Sequence, residues 1–364
     1  MVNAHRTSRI HFSIPTRLTE LPYFTRLLPL LLLCGIAWVF QARAEEAVAD
    51  SCAGITDPFL GDWKGLWKTG EDKHPDITAQ VVPLGNNQYQ ITLAEALYQR
   101  VPPDAVITAT SNGGVLNFDD GFYYGEIKEG RFHGGRGGDK AGIFEMERFL
   151  LTPPSLGAPP PEGAIILFDG SGFAEWGRFP KGSGWDSLEG GILQANPNLS
   201  TIETRRKFSD CRLHLEFRIP LLPDARGQER GNSGVFLQHY YEVQILDSYG
   251  LPGYWNECGA IYRISAPWVN MCLPPLQWQT YDIEFRAARF DDQGNLLENA
   301  RMTVLHNGVV VQKDREMPRG TSGDAKKPPV SPPKDPGSIR LQSHKNRVQF
   351  RNIWVEDLAP TGQN

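Results

Sequence analysis

From Gly61 to Val355 the apolar residues of this chain tend to recur at every second position, in short runs cut by Gly, Pro, Asn or Asp. In extended backbone that spacing makes one face apolar and the other polar, so it predicts strands. Cys211-Arg212-Leu213-His214-Leu215-Glu216-Phe217-Arg218-Ile219 is the clearest run. Its Leu213, Leu215 and Phe217 should face a core, and its Arg212, His214, Glu216 and Arg218 should face solvent. Met302 to His306 and Val309 to Val311 are joined by Asn307-Gly308, a pair that tolerates the positive φ of a tight primed turn. No convincing amphipathic helix of ten or more residues interrupts this pattern in the second half. The chain is therefore predicted to be all-β: a jelly-roll β-sandwich preceded by a small β-rich domain.

A length of 364 residues suggests two domains. Residues 1–44 have the form of a signal peptide. Arg6, Arg9, Arg17 and Arg26 precede an apolar run from Leu27 to Phe40, and Ala42-Arg43-Ala44 offers a small-x-small cleavage site before Glu45. The apolar run is short for a membrane span, so export of a chain with no stable span after cleavage is expected, to the periplasm, cell surface or exterior of a bacterium. Removing residues 1–44 takes away five Arg and one Glu. The remainder then has 37 − 5 = 32 basic and 42 − 1 = 41 acidic residues, a net charge of −9. That balance argues against nucleic acid and against an anionic membrane as partners.

Residues 45–151 read as a small β-rich domain without a catalytic constellation, 152–162 as a stiff Pro-rich linker, and 163–358 as the second domain. Arg319 to Gly337 is rich in Pro and Lys and reads as a long exposed loop. Four cysteines follow the leader. Cys258 and Cys272 flank one loop-rich segment and are the expected disulfide, whereas Cys211 opens a strand and reads as a buried thiol.

Two segments carry groups suited to chemistry. In Tyr241-Glu242-Val243-Gln244-Ile245-Leu246-Asp247, Val243 and Ile245 face inward, leaving Glu242 and Gln244 on the other side. A single bulged residue would bring Asp247 to the same face as Glu242. In Ile339-Arg340-Leu341-Gln342-Ser343-His344, the residues Arg340, Gln342 and His344 share one face. If both strands line one face, they make a groove of carboxylate, amide, guanidinium and imidazole groups, which suits a hydroxyl-rich ligand. Tyr249, Tyr254, Trp255, Tyr262 and Trp268, with Asn256 and Asn270, lie in the loops nearby and offer stacking and polar contacts.

Five ordered motifs sharpen this reading: Gly231-Asn232-Ser233-Gly234-Val235-Phe236, Tyr241 to Ser248, Cys258-Gly259-Ala260-Ile261-Tyr262, Trp278-Gln279-Thr280-Tyr281-Asp282 and Val348 to Val355. Together they resemble the 3-keto-disaccharide hydrolase domain family, over roughly Gly163 to Leu358. The resemblance implies a concanavalin-like lectin/glucanase fold and action on glycosides whose C3 hydroxyl has been oxidised to a ketone. Asn232 and Arg351, which lie within these motifs, are further candidate substrate contacts. Glu242-x-Gln244-x-x-Asp247 is similar in placement to the catalytic strand of laminarinase-type glycosidases, but Gln244 replaces the central acid and Asp247 the longer Glu. A double displacement is thus in doubt. A C3 ketone acidifies the C2 proton, so abstraction, elimination and hydration are the alternative route. His344 or Glu242 could be the base, Arg340, Gln244 or Tyr262 could steady the enolate, and Asp247 could be the acid. No cofactor is predicted. Glu242, Asp247 and His344 could also hold a divalent metal such as calcium, although no run has calcium-loop spacing. A non-catalytic carbohydrate-binding module is the competing function.

Overall fold

A computed structural model describes residues 57–70, 75–100, 102–177, 185–198, 201–321 and 331–358. The leader 1–44, Cys52 and residues 322–330 of the Pro-rich loop lie outside the described residues. Among the described residues, the helical pieces are single 3-10 turns at Gly138–Lys140 and Gly227–Glu229. No helix there is long and apolar enough to cross a membrane.

Eight strands form a closed antiparallel barrel: β1 (Gly61–Trp67), β2 (Asp76–Gly85), β3 (Gln88–Ala94), β4 (Ala105–Asn112), β5 (Val115–Asp119), β6 (Tyr123–Lys128), β7 (Arg131–Arg136) and β8 (Gly142–Phe149). Each strand pairs with the next, and β1 also pairs with β8, so no edge is left open to another chain. Alternate residues fill the interior. Ile77, Ala79 and Val81 of β2 and Ile91 and Leu93 of β3 are buried, and Trp63, Phe118, Phe132 and Phe144 meet there edge to face.

The second half begins with β9 (Ile165–Phe168), β10 (Trp176–Gly177), β11 (Asp186–Leu188), β12 (Ile192–Gln194) and β13 (Ile202–Thr204). The long strands follow: β14 (Cys211–Arg218), β15 (Ser233–Leu237), β16 (Tyr241–Ile245) and β17 (Trp278–Arg286). Then come β18 (Arg289–Phe290), β19 (Leu296–Glu298), β20 (Ala300–His306), β21 (Val309–Met317), β22 (Arg340–Leu341) and β23 (Gln349–Asp357). One sheet has the order β10-β13-β22-β15-β16. A second runs β11-β12-β23-β14-β17-β20-β21, with β9 also paired to β23, and β18 pairs with β19 as a separate two-stranded sheet. The apolar faces of the first two share one core, in which Val235, Val243, Ile245 and Leu341 of the first sheet join Leu213, Leu215, Ile283, Met302 and Val304 of the second. The Asn307-Gly308 turn has φ of 52° and 80°, as its residues predict.

Three expectations are corrected here. His214 points outward, as its alternation requires, yet it is buried along with Glu216, because residues 153–158 lie across that face. Ser155 Oγ donates to Asp282 Oδ2 (2.6 Å), the Gly157 amide donates to Glu216 Oε1 (2.6 Å), and Asn352 Nδ2 donates to the Ala158 carbonyl (2.9 Å). Cys258 and Cys272 are buried but not bonded to each other. The Cys258 sulfur sits 3.1 Å from the Tyr281 hydroxyl, and the Cys272 thiol lies against the Cys258 thiol and the Leu246 and Leu273 carbonyls, so the two meet as free thiols. Tyr249 is a core residue rather than a stacking surface, with its hydroxyl donating to Asp62 of the barrel (2.8 Å). Cys211 is a buried free thiol, as expected.

Candidate active site

Strand pairing decides which side chains share a face. Phe236 of β15 lies opposite both Glu242 of β16 and Arg340 of β22, and Arg340 in turn lies opposite Glu203 of β13. Gly234 lies opposite Gln244. Directly paired residues point to the same side, so Glu242, Gln244, Arg340 and Glu203 project from the face of this sheet that turns away from the core. The sequence alternation therefore placed Glu242, Gln244 and Arg340 correctly, and Gln342 continues the row, its backbone N–H donating to the Gly234 carbonyl (2.9 Å).

Glu242 is 6 % exposed. Burial outweighs the attraction of Arg340 and Arg263 and pushes its carboxyl up to about 8. Its main chain is held on both sides: the Glu242 amide donates to Thr321 Oγ1 (2.9 Å) and its carbonyl accepts from the Tyr262 amide (3.0 Å). The carboxylate lies over Gly234. A Cβ there would stand 2.4 Å from Glu242 Oε1, so only glycine leaves the carboxylate its place. Gly234→Ala should displace the Glu242 side chain and lower turnover at least about tenfold with a modest stability change, because misplaced catalytic groups lose rate steeply. Comparing kcat with the melting temperature checks this.

Arg340 spans the face. Its guanidinium lies 4.8 Å over the Phe236 ring, and Nη1 donates to His239 Nε2 (2.5 Å). His239 Nδ1 then meets Glu203 Oε2 at 2.9 Å. Tyr262 packs its ring 5.7 Å from Trp255, with the Arg263 guanidinium 5.5 Å away. Gln244 is fully buried. Its Nε2 donates to Gln228 Oε1 (2.9 Å) and the Asn256 carbonyl (3.3 Å), while its Oε1 has no partner. Asn232 directs its amide to the Gln228 carbonyl (2.8 Å). It stands just before β15 and shapes the end of the groove.

Five predicted site residues lie elsewhere. Asp247 does not join Glu242: the β15–β16 register is unbroken from Ser233–Ile245 to Leu237–Tyr241, so no bulge shifts the parity, and β16 ends at Ile245. Asp247 is half-buried beside Arg230 and Glu257, and burial pushes its carboxyl up to about 6. His344 is exposed on a loop, because β22 stops at Leu341 and the alternation that would have aimed the imidazole stops with it. Arg351 belongs to the other sheet, where Nε donates to Glu216 Oε2 (2.6 Å) and the guanidinium lies 4.1 Å over Trp278. Asn270 spends its amide on the Ser248 and Leu251 carbonyls, at 2.7 Å each. Trp268 is exposed, with its amide bonded to Val311 of β21. With Glu242, Asp247 and His344 apart, the metal-ligand set considered from sequence does not assemble. Among the described residues, no three His, Cys, Asp or Glu gather as a metal site.

Sequence reasoning missed Arg263, His239, Glu203 and Thr321. Glu203 sits in the short run Ile202–Thr204, and the alternation of Ile202 and Thr204 inward was the signal available for it. Arg263, His239 and Thr321 come from loops, where no periodicity marks direction.

The family described as 3-keto-alpha-glucoside-1,2-lyase-like domain matches residues 163–356. A provisionally assigned glycosyl hydrolase of Parabacteroides distasonis ATCC 8503, with a crystal structure at 2.13 Å resolution, is 36% identical, covers 54% of this chain and 85% of its own, and superposes with a TM-score of 0.50. A second such protein of that organism is 23% identical, covers 54% of this chain and 99% of its own, and has a TM-score of 0.38. No curated protein matches this chain.

Proposed function

This chain belongs to the 3-keto-alpha-glucoside-1,2-lyase-like domain family, and on that premise we propose that it is an exported enzyme that cleaves glycosides bearing a ketone at C3. The observation that carries this reading is Glu242: a buried carboxyl on the polar sheet face, pushed up to about 8 by burial against the attraction of Arg340 and Arg263. A general base works best when its pKa lies near the working pH. A C2–H acidified by a neighbouring ketone needs such a base and needs positive charge where the enolate oxygen develops.

Glu242, ionised, takes the C2 proton. The C–H electron pair forms C2=C3 and charge moves to the C3 oxygen, which Arg340 and Arg263 face. The enolate then collapses: C3=O reforms, C1=C2 forms, and the C1–O bond breaks with its electrons on the departing oxygen. Glu242, now protonated and below its pKa at neutral pH, returns the proton to that oxygen. One residue thus serves as base and acid, and Asp247, ionised above about pH 6, is not required as the donor. Water adding across C1=C2 would complete hydrolysis. Trp255, exposed beside Tyr262, would offer aromatic surface to a sugar.

The test is aglycone release from a 3-keto-glucoside beside the same glucoside unoxidised. Release from the keto form alone is expected, with a rate that rises with pH and levels above about 8 as Glu242 ionises. Release from neither, with sugar binding still measurable, would leave a carbohydrate-binding module instead. Cleavage after Ala44 and passage to the periplasm or cell surface complete the proposal, and N-terminal sequencing of the exported protein checks it.

A further inference from the structure

The barrel lies outside the family match, yet it builds a cleft with the sandwich. Asp62 of β1 is buried and accepts from Gln80 Nε2 (3.1 Å), the Tyr98 hydroxyl and the Tyr249 hydroxyl (2.8 Å). One carboxyl therefore ties together the barrel wall, the segment after β3 and the sandwich segment that follows Asp247. Arg100 donates to the Pro267 carbonyl (3.2 Å), and Arg226 donates to the Leu84 carbonyl (2.7 Å), which fixes the two walls at either end. Between them lie two adjoining cavities of about 660 and 230 Å³ that share Gln90 and Leu251 in their walls, so they form one cleft. The smaller lobe reaches Asp247 and Arg230, and the larger one opens beside Tyr254, which is 60 % exposed.

The lining sets the ligand class. In the larger lobe Gln80, Gln90, Thr92, Gln99 and Tyr254 supply amides, a hydroxyl and an aromatic face, and among the described residues Arg100 is its one charged group, whereas Arg226, Arg230 and Asp247 sit at the smaller lobe. Such a wall matches a neutral ring rich in hydroxyls better than an ion. The size suits a ligand of one to a few rings. Tyr254 precedes Trp255, whose ring packs on Tyr262 beside Glu242, so one loop borders both the cleft and the groove. We infer that the cleft between barrel and sandwich is a second carbohydrate subsite, which holds neutral sugar rings of the glycoside away from Glu242. It rests on the glycoside-cleaving reading for the class of ligand, but its test does not need turnover.

Calorimetric binding of an unoxidised gluco-tetrasaccharide is measured on the full exported chain, on Ala96→Trp, which fills the larger lobe, and on Tyr254→Ala, which removes the aromatic face. Ala96 lines this lobe from the barrel side. A loss of affinity of tenfold or more in both, with melting temperatures near that of the parent, is expected. Binding that is unchanged with the lobe filled, or no binding by the parent, overturns the proposal. If cleft-dependent binding is found but no 3-keto-glucoside is cleaved, the subsite stands and the ketone chemistry falls.

Discussion

Glu242→Gln is expected to lower kcat/KM on a 3-keto-glucoside by about 10²- to 10⁴-fold, the range that a positioned proton-transfer group supplies. The same substitution should stabilise the protein. A carboxyl whose folded pKa lies at about 8, above its ordinary 4.5, favours the unfolded state wherever that state is ionised and the folded one is not. The sign follows directly: the penalty is absent below pH 4.5, grows as pH rises towards 8, and is constant beyond. At pH 7 it is on the order of 3 kcal/mol. Glutamine has the same shape and no charge to bury, so the variant should melt higher than the parent at pH 7 and at the same temperature at pH 4. Equal melting temperatures at both pH values would mean that Glu242 is not held protonated by its site, and the assignment of the base would fail with it. Loss of activity with a gain in stability is the signature of a group kept at a cost for its chemistry.

How much of this was legible before the structure depends on which interactions are local. Alternation along Tyr241–Ile245 put Glu242 and Gln244 on the face opposite Val243 and Ile245, and the alternation around Leu341 did the same for Arg340. Each of those statements needs only the two-residue period of a strand. Asp247 and His344 lie off that face because each follows the end of its strand, where the two-residue period no longer holds. Arg351 lies off it for another reason. It resides on a long strand, but nothing in its run says which sheet the strand joins. Closure of the barrel needs β1 to meet β8, some eighty residues later, which no local pattern encodes. The all-β class was plain because it sums many local signals, whereas Tyr98 and Tyr249 beside Asp62, and Arg263 near Glu242, come from distant loops.

Glu216→Ala should be the most damaging single change outside the groove, with a loss of about 3–5 kcal/mol, because it removes one side of a buried ion pair. The Glu216 side chain is 1 % exposed. It accepts from Arg351 Nε (2.6 Å), Asn352 Nδ2 (2.9 Å) and the Gly157 amide (2.6 Å), and His214 Nε2 stands 3.9 Å away. Burial alone would raise its pKa, but His214, Arg351 and Asn352 together hold it below the usual value. His214 shows the complement: burial pulls it down, yet Asp282, 2.6 Å from Nδ1, and Glu216 hold it above 6.5. The two groups set opposite limits. The stability that Glu216 contributes is present above pH 4.5 and is lost as pH falls through its lowered folded pKa. The contribution of His214 is present below pH 6.5 and is lost as pH rises through its raised one. Melting temperature against pH should therefore lose its alkaline limb in His214→Gln, with the acid limb weakened but kept by Arg351 and Asn352. Because the Gly157 amide and the Ala158 carbonyl are bonded to this cluster, Glu216→Ala should also make residues 152–162 more sensitive to limited proteolysis. A Glu216→Ala protein that unfolds within about 1 kcal/mol of the parent would place it among ordinary surface substitutions and refute the buried pair.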